Sequence, residues 1–434
     1  MRKLVILLVI LVSAGCREKN VTCWLTQEKA LHYFNSVEEL CRIDSGKLWG
    51  KNLYGPIMFV DRTSRLVFTN SPDKDGLLKG KDGVYSGFYP KEQIVSIAPV
   101  VFGGTEFALA PIPTKEDEGS MKRRAIHSLF HLFQKSEGIP PALFNQSNME
   151  DQEARMYMKL EWKALRKAIQ SEGDDRLRAI RDALVFRGTN REIYSRFANE
   201  ANHFENYEGL ATYTFYKLCS SSNEECRTRL LENLDRIYNM SSYSRSYGVI
   251  HGALYAALLY DAGIDFRTLR PDSTDLGKLL REHYSIDLPE ICRDVAGSLA
   301  FSYDIDIIKA EEEKRIASIK ESLHKQTSTF TEKAIVLFEL ESPSFDFEPE
   351  DIHPLDTMGI LYSSMRVSDN WGKLTVDKGG CLLSNNYKYL RITARGFSAE
   401  KNHISGEGWH LILNEGWELK ERNENYLVTK LIPR

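Results

Sequence analysis

Ile126-His127-Ser128-Leu129-Phe130-His131-Leu132-Phe133-Gln134 opens a long helical stretch, and its reading decides how the rest of the chain is understood. Residues four apart share one face of an α-helix, so His127 and His131 can hold one metal ion between them. The spacing has a plain alternative: two helix histidines hydrogen-bonded to their neighbours. With ten histidines in 434 residues, the pair is weak evidence by itself.

Working outward, residues 120–325 are strongly helical in pattern. Met156, Leu160, Ala164, Leu165 and Ile169 fall close to a 3.6-residue period, which predicts a helix over 150–171. Further helices are expected over 175–186, 204–218, 226–240, 247–261 and 305–325, with Gly188-Thr189-Asn190 as a break. Upstream, one helix near 27–41 precedes β-rich runs at 56–61 and 65–70, which read as a hairpin. Strands are expected within 93–102 and over 105–110. Pro111, Pro113 and the charged run 115–118 mark a boundary. After 327, short alternating runs separated by Gly, Asn and Asp read as a small antiparallel sheet or sandwich. The expected fold class is α+β. It comprises a β-rich N-terminal lobe over 29–115, a mainly helical domain over 118–327 and a C-terminal antiparallel β domain over 332–434.

At the start of the chain, Arg2 and Lys3 precede an apolar run over 4–12, then Ser13-Ala14-Gly15-Cys16. This has the order of an export signal over 1–15. The run is too short to span a bilayer core of about 30 Å. Ser-Ala-Gly-Cys resembles a bacterial lipobox. That resemblance implies a diacylated Cys16, a lipidated tether over 16–28 and a lipid-anchored protein of the bacterial cell envelope. Each buried CH₂ of an acyl chain adds about 0.8 kcal/mol to such an anchor. The formal net charge of −4 points away from nucleic acid as a partner. No apolar run reaches 18 residues, which excludes a polytopic membrane protein. Without Cys16, six of the seven cysteines remain, and an even count in an exported protein permits disulfides. Cys219 and Cys226 flank a polar turn and are candidates for a local bridge. Cys23 and Cys41 are candidates for a second. The alternative is free, buried thiols.

Asn206-Tyr207-Glu208-Gly209-Leu210-Ala211-Thr212-Tyr213 resembles the Glu-Gly-Leu-Ala-x-Tyr segment of gluzincin-type zincin metallopeptidases. The resemblance implies that Glu208 is a third zinc ligand beside His127 and His131, and two imidazoles and a carboxylate suit zinc with a fourth position left for water. Leu53-Tyr54-Gly55-Pro56, the segment 160–165 and the segment 408–417 are similar to exported bacterial zincin-like proteins. In that group the strand before the active-site helix is the substrate-pairing edge. Here 105–110 occupies that place, and a peptide or protein partner would add to it as a strand.

One departure matters most. The family places Glu after the first His, as the general base that activates zinc-bound water. This chain has Ser128, and a hydroxyl is a poor base by itself. General acid–base help is worth about 10²–10⁴-fold, so its loss cuts hydrolysis steeply. Thr212 and Phe215 are smaller departures, where the related motif has an acidic and a small residue. Glu205, three residues before Glu208, and Glu153 are the carboxylates considered as a relocated base. Glu205 is also a candidate to orient a ligand imidazole. Tyr247, His251 and Tyr255 share a helical face, and Tyr247 is the candidate to stabilise an oxyanion. The sequence therefore supports a degenerate, zinc-binding pseudo-peptidase that binds peptide or protein. An active zinc metallopeptidase with a relocated base and a metal-free envelope structural protein are its alternatives.

Overall fold

The structure, a computed structural model, describes residues 23–142, 147–244, 246–269, 274–331, 334–347, 352–355 and 358–431. The signal segment 1–15, Cys16 and the tether up to residue 22 lie outside the described residues. The fold is α+β, with a helical centre and a C-terminal β region that is antiparallel apart from one pairing. The chain divides into two compact units, residues 1–312 and 313–434.

The first unit begins with helix α1 (Gln27–Asp44), capped by Thr26, whose hydroxyl accepts from the Lys29 amide. Six strands follow: β1 (Ile57–Val60), β2 (Leu66–Thr69), β3 (Lys79–Lys81), β4 (Val84–Phe88), β5 (Ala98–Phe102) and β6 (Thr105–Pro111). They form one mixed sheet in the order β3-β4-β2-β1-β6-β5. Strand side chains alternate between faces. Ile57 and Phe59 of β1 join the core beneath the helices, where Phe34 of α1 stacks on Phe59 at 4.7 Å. Met58 and Val60 face the opposite way, among Val67, Phe107 and Leu109. Both faces are covered, which is why β1 reads as an unbroken apolar run.

The topology corrects one expectation. Strand β6 pairs parallel with β1 and antiparallel with β5, so it is interior and not a free edge. Gly103 and Gly104, with φ of 52° and 72°, make the tight turn that folds β5 against the outer side of β6. Among the described residues, the outer strands of the sheet are β3 and β5.

Helix α2 (Glu118–Ser136) follows β6, and its N-cap Asp117 accepts from the Ser120 amide at 3.0 Å. Next come α3 (Gln152–Gln170), α4 (Gly173–Ile193), α5 (Ala198–Phe204), a π-helical turn over Glu205–Gly209 and α6 (Leu210–Leu218). Then come α7 (Asn223–Tyr238), α8 (Tyr247–Asp261), α9 (Leu276–His283), α10 (Arg293–Ala300) and α11 (Ile305–Thr331). The expected break at Gly188 is absent, and α4 runs straight through it. A Cβ at Gly188 would lie 3.0 Å from Cys292 Cβ and closer still to its sulfur, so the glycine serves helix packing and not a turn. A single core runs from Leu25 to Ile308 and joins one side of the sheet to the helices.

The second unit contains thirteen strands among the described residues, in sheets of seven and six. One pairing, between 425–430 and 335–339, is parallel. Trp371 and Trp409 are fully buried at its centre, and Trp409 Nε1 donates to the Thr393 carbonyl at 2.9 Å.

Candidate metal centre

Helix α2 packs against β5, β6 and α6, and this places its buried face against the π turn that precedes α6. His127 and His131 lie on that face, both buried. Glu208, in the π turn, reaches them from across the helix pair. His127 Nε2 is 3.0 Å from Glu208 Oε2, and His131 Nε2 is 3.7 Å from Glu208 Oε1. One ligand atom from each of the three residues lies within 4.8 Å of the others. Side chains 81 positions apart in sequence thus converge on one point.

A fourth residue fixes the imidazole geometry. Gln134 donates from Nε2 to the Tyr207 carbonyl at 3.2 Å, which turns its Oε1 toward His131. His131 Nδ1 then donates to Gln134 Oε1 at 2.8 Å. The His131 ring also stacks on Tyr207 at 4.3 Å, with 13° between the planes. With the proton on Nδ1, the Nε2 lone pair faces the Glu208 carboxylate. Two electron-rich atoms facing each other in a buried site is an arrangement that a cation relieves. Burial pushes His131 down to about 4, against the opposing pull of Glu208, so the ring is neutral at pH 7 and available as a ligand. Burial works to raise the Glu208 carboxyl, but His131 and His127 outweigh it and hold it below the usual carboxylate range. The donor set fits zinc: two imidazole nitrogens and one ionised carboxylate. The hydrogen bond to Gln134 is the outer support that metal-binding histidines ordinarily have. Gln134 was missed from sequence, although it stands three residues after His131, one helical turn on.

Two expectations follow from this geometry. Gln134→Leu removes the group that orients His131 and should weaken zinc binding about 10–100-fold, read by chelator competition. In the metal-free protein, stability should fall as pH drops from about 6.5 to about 4. Across that window the unfolded chain holds a proton on residue 131 that the folded chain refuses, so acid favours unfolding. Above it both states are neutral, and below it both are charged. Urea unfolding in EDTA across this range should show the slope, and His131→Gln should flatten it.

The other sequence candidates fall elsewhere. Ser128 is fully buried, and its hydroxyl has no hydrogen-bond partner among the described residues. Glu205 is buried and accepts from Arg187 Nη1 at 3.2 Å and from Nη2 at 2.6 Å. It makes no described hydrogen bond to His127 or His131, whereas Gln134 bonds to His131. On an α-helix, residues 205 and 208 would share a face. The wider π turn rotates them apart, Glu208 toward α2 and Glu205 toward α4. Glu153 pairs with Arg293 at 3.3 Å. Tyr247 is fully buried against Phe204 and His251 and lines a cavity of ≈ 30 Å³ with Asn148, Glu161, Arg187 and Glu205. That volume holds about one or two waters and no peptide side chain, and none of the three metal-cluster residues lines it. His251 and Tyr255 also belong to the core: Trp162 Nε1 donates to His251 Nδ1 at 3.0 Å, and Tyr255 donates to Glu161 at 2.7 Å. The proposed Cys219–Cys226 bridge is not formed. Both are free thiols, as are Cys23 and Cys41. Cys219 ends α6, whereas Cys226 is buried in the first turns of α7. Hydrogen bonds from the Ser221 amide and hydroxyl to Glu225, and from the Glu225 amide to Ser222, fix the turn between them. No described helix is long and apolar enough to cross a membrane. No family model, curated protein or solved structure matches this chain, so the site is read from its own geometry.

Proposed function

We propose that this is a lipid-anchored envelope protein with a zinc-binding, zincin-like site that binds peptide or protein and hydrolyses little or nothing. The convergence of His127, His131 and Glu208 carries this reading. His127, His131 and Glu208 would hold the ion, which would supply Lewis-acid polarisation of a carbonyl in contact with it. The chain's own groups supply little else for hydrolysis. Ser128 stands where a general base is needed, and its hydroxyl does not ionise at neutral pH. Glu205 is bonded to Arg187 and Glu153 pairs with Arg293, so each carboxylate has a partner away from the two histidines. A partner in extended form has a pairing edge in β5, which borders α2 and is an outer strand of the sheet among the described residues. The lipid anchor rests on the Ser13–Cys16 tetrad alone.

A second reading has its own observation in favour. His127 Nε2 can donate directly to Glu208, and His131 Nδ1 to Gln134, so each histidine has a hydrogen-bond partner without a metal.

The deciding experiment measures zinc per chain by elemental analysis on the full-length protein, alongside cleavage of a mixed peptide library with and without chelator. About one zinc per chain and no chelator-sensitive cleavage is the expected result. Chelator-sensitive cleavage would overturn the loss of hydrolysis. Absence of zinc at saturating supply and neutral pH would overturn the metal site and leave two hydrogen-bonded histidines.

A further inference from the structure

Glu208 is held from one side by the histidines, but something must fix the π turn that carries it. Glu205 begins that turn and points away from the metal cluster, into a cage around Arg187. The Arg187 guanidinium donates twice to Glu205 and once, at 3.2 Å, to Asn202 Oδ1 in α5. It also lies 3.6 Å from Glu161 of α3 and 3.5 Å from Asp275, the N-cap of α9. Its charge sits 4.8 Å from the Tyr255 ring of α8. Gly277 leaves room for the arginine stem, since a Cβ there would lie 3.0 Å from Arg187 Cδ. The guanidinium is thus fixed from α3, α5, α8, α9 and the π turn at once, and it is buried. A planar group with several rigid partners cannot follow a drifting turn.

We infer that Arg187 is a positioning residue for the metal centre: by clamping Glu205 it sets the π turn and so aims Glu208 at His127 and His131. This rests on the zinc-binding reading above. An α-helical turn would bring residues 205 and 208 onto one face, and the two carboxylates could not then serve opposite sides. The Arg187–Glu205 pair holds the turn open in the geometry that separates them. The inference reaches a residue 21 positions upstream of Glu208, with no contact to the three ligands among those described.

The test uses the full-length protein with Glu205→Gln, Arg187→Lys and a distant control, Arg155→Met. Glu205→Gln is nearly isosteric, so the chain should still fold. Arg155 is likewise buried and charge-paired, with Glu312 at 3.0 Å, and makes no described contact to the π turn. Zinc affinity is read by chelator competition, and cobalt(II) bound in place of zinc reports the ligand geometry through its visible absorption. Glu205→Gln should weaken zinc binding about 10–100-fold and alter the cobalt spectrum, as loss of outer support does at metal sites. Arg187→Lys, which keeps the charge but not the fork, should fall between it and the parent. Arg155→Met should lower the melting temperature yet leave affinity and spectrum as in the parent. Unchanged affinity and spectrum in Glu205→Gln would overturn the inference. An equal loss in Arg155→Met would also overturn it, because the effect would then be general destabilisation. If the parent protein binds neither zinc nor cobalt, the zinc reading itself fails, and that outcome is visible before any variant is made.

Discussion

Glu208→Gln should abolish zinc uptake while leaving the fold intact. The substitution keeps the side-chain volume and one hydrogen-bond acceptor toward His127, so the packing of the π turn against α2 is preserved. It removes the only negative charge in the cluster of His127, His131 and Glu208. Two imidazoles on one helix remain, short of the three protein ligands usual for an open zinc site. Affinity should fall by more than the roughly 10–100-fold seen when a supporting group is lost. The effect has a second readout. On the proposed site, zinc at 100 times its dissociation constant would stabilise the folded chain by about 2.7 kcal/mol where it binds only the native state. For a unit of this size that is a rise of about 5 °C in melting temperature, and in Glu208→Gln the rise should vanish. Differential scanning fluorimetry with and without zinc checks it. An undiminished zinc-dependent rise in the variant would remove Glu208 from the ligand set.

Gly252→Ala should be the most damaging single methyl group in the helical unit. Helix α8 packs backbone to backbone against the π turn at Gly252 and Gly209. A Cβ on Gly252 would lie 2.8 Å from the Glu205 carbonyl carbon, nearer still to its oxygen, and 3.1 Å from Gly209 Cα. The atoms in the way are backbone, so no rotamer change relieves them. Overpacking of this kind costs about 1–3 kcal/mol, and a backbone clash belongs at the upper end. The melting temperature should drop by about 5 °C. The turn that gives way carries Glu208, so zinc affinity should fall with it. Gly297→Ala supplies the contrast. Gly297 sits inside α10 with nothing within 4 Å of a built Cβ, so alanine there should stabilise by about 0.5–1 kcal/mol through helix propensity alone. Denaturant unfolding of the two variants side by side should give shifts of opposite sign.

Both expectations turn on the short segment 204–210, where local pattern and tertiary structure part company. The sequence marks a helix over 204–218, and the chain is helical there. It carries no local mark of the π turn, because an extra residue in one turn is tolerated only if a neighbour accepts the bulge. Here the neighbour is the glycine pair Gly248 and Gly252, which lets α8 come close, together with Arg187, which holds Glu205. A Glu pair three apart therefore reads as one face from sequence and serves two faces in the fold.

Similar reasoning separates the rest. The sequence by itself determined the α+β class, the order of β lobe, helices and β domain, and the metal-type spacing of His127 and His131. These follow from local periodicity and turn chemistry, which act between residues a few positions apart. The tertiary structure alone decided which strand is the sheet edge, since Gly103 and Gly104 mark a turn without saying on which side of β6 the strand β5 will pair. It alone assigned Gln134 to His131, committed Glu205 to Arg187 and left Tyr247 walled into the core. Each of those outcomes depends on burial. A carboxylate or phenol is confined to one partner or one small cavity only when packing from distant segments removes the alternatives offered by water.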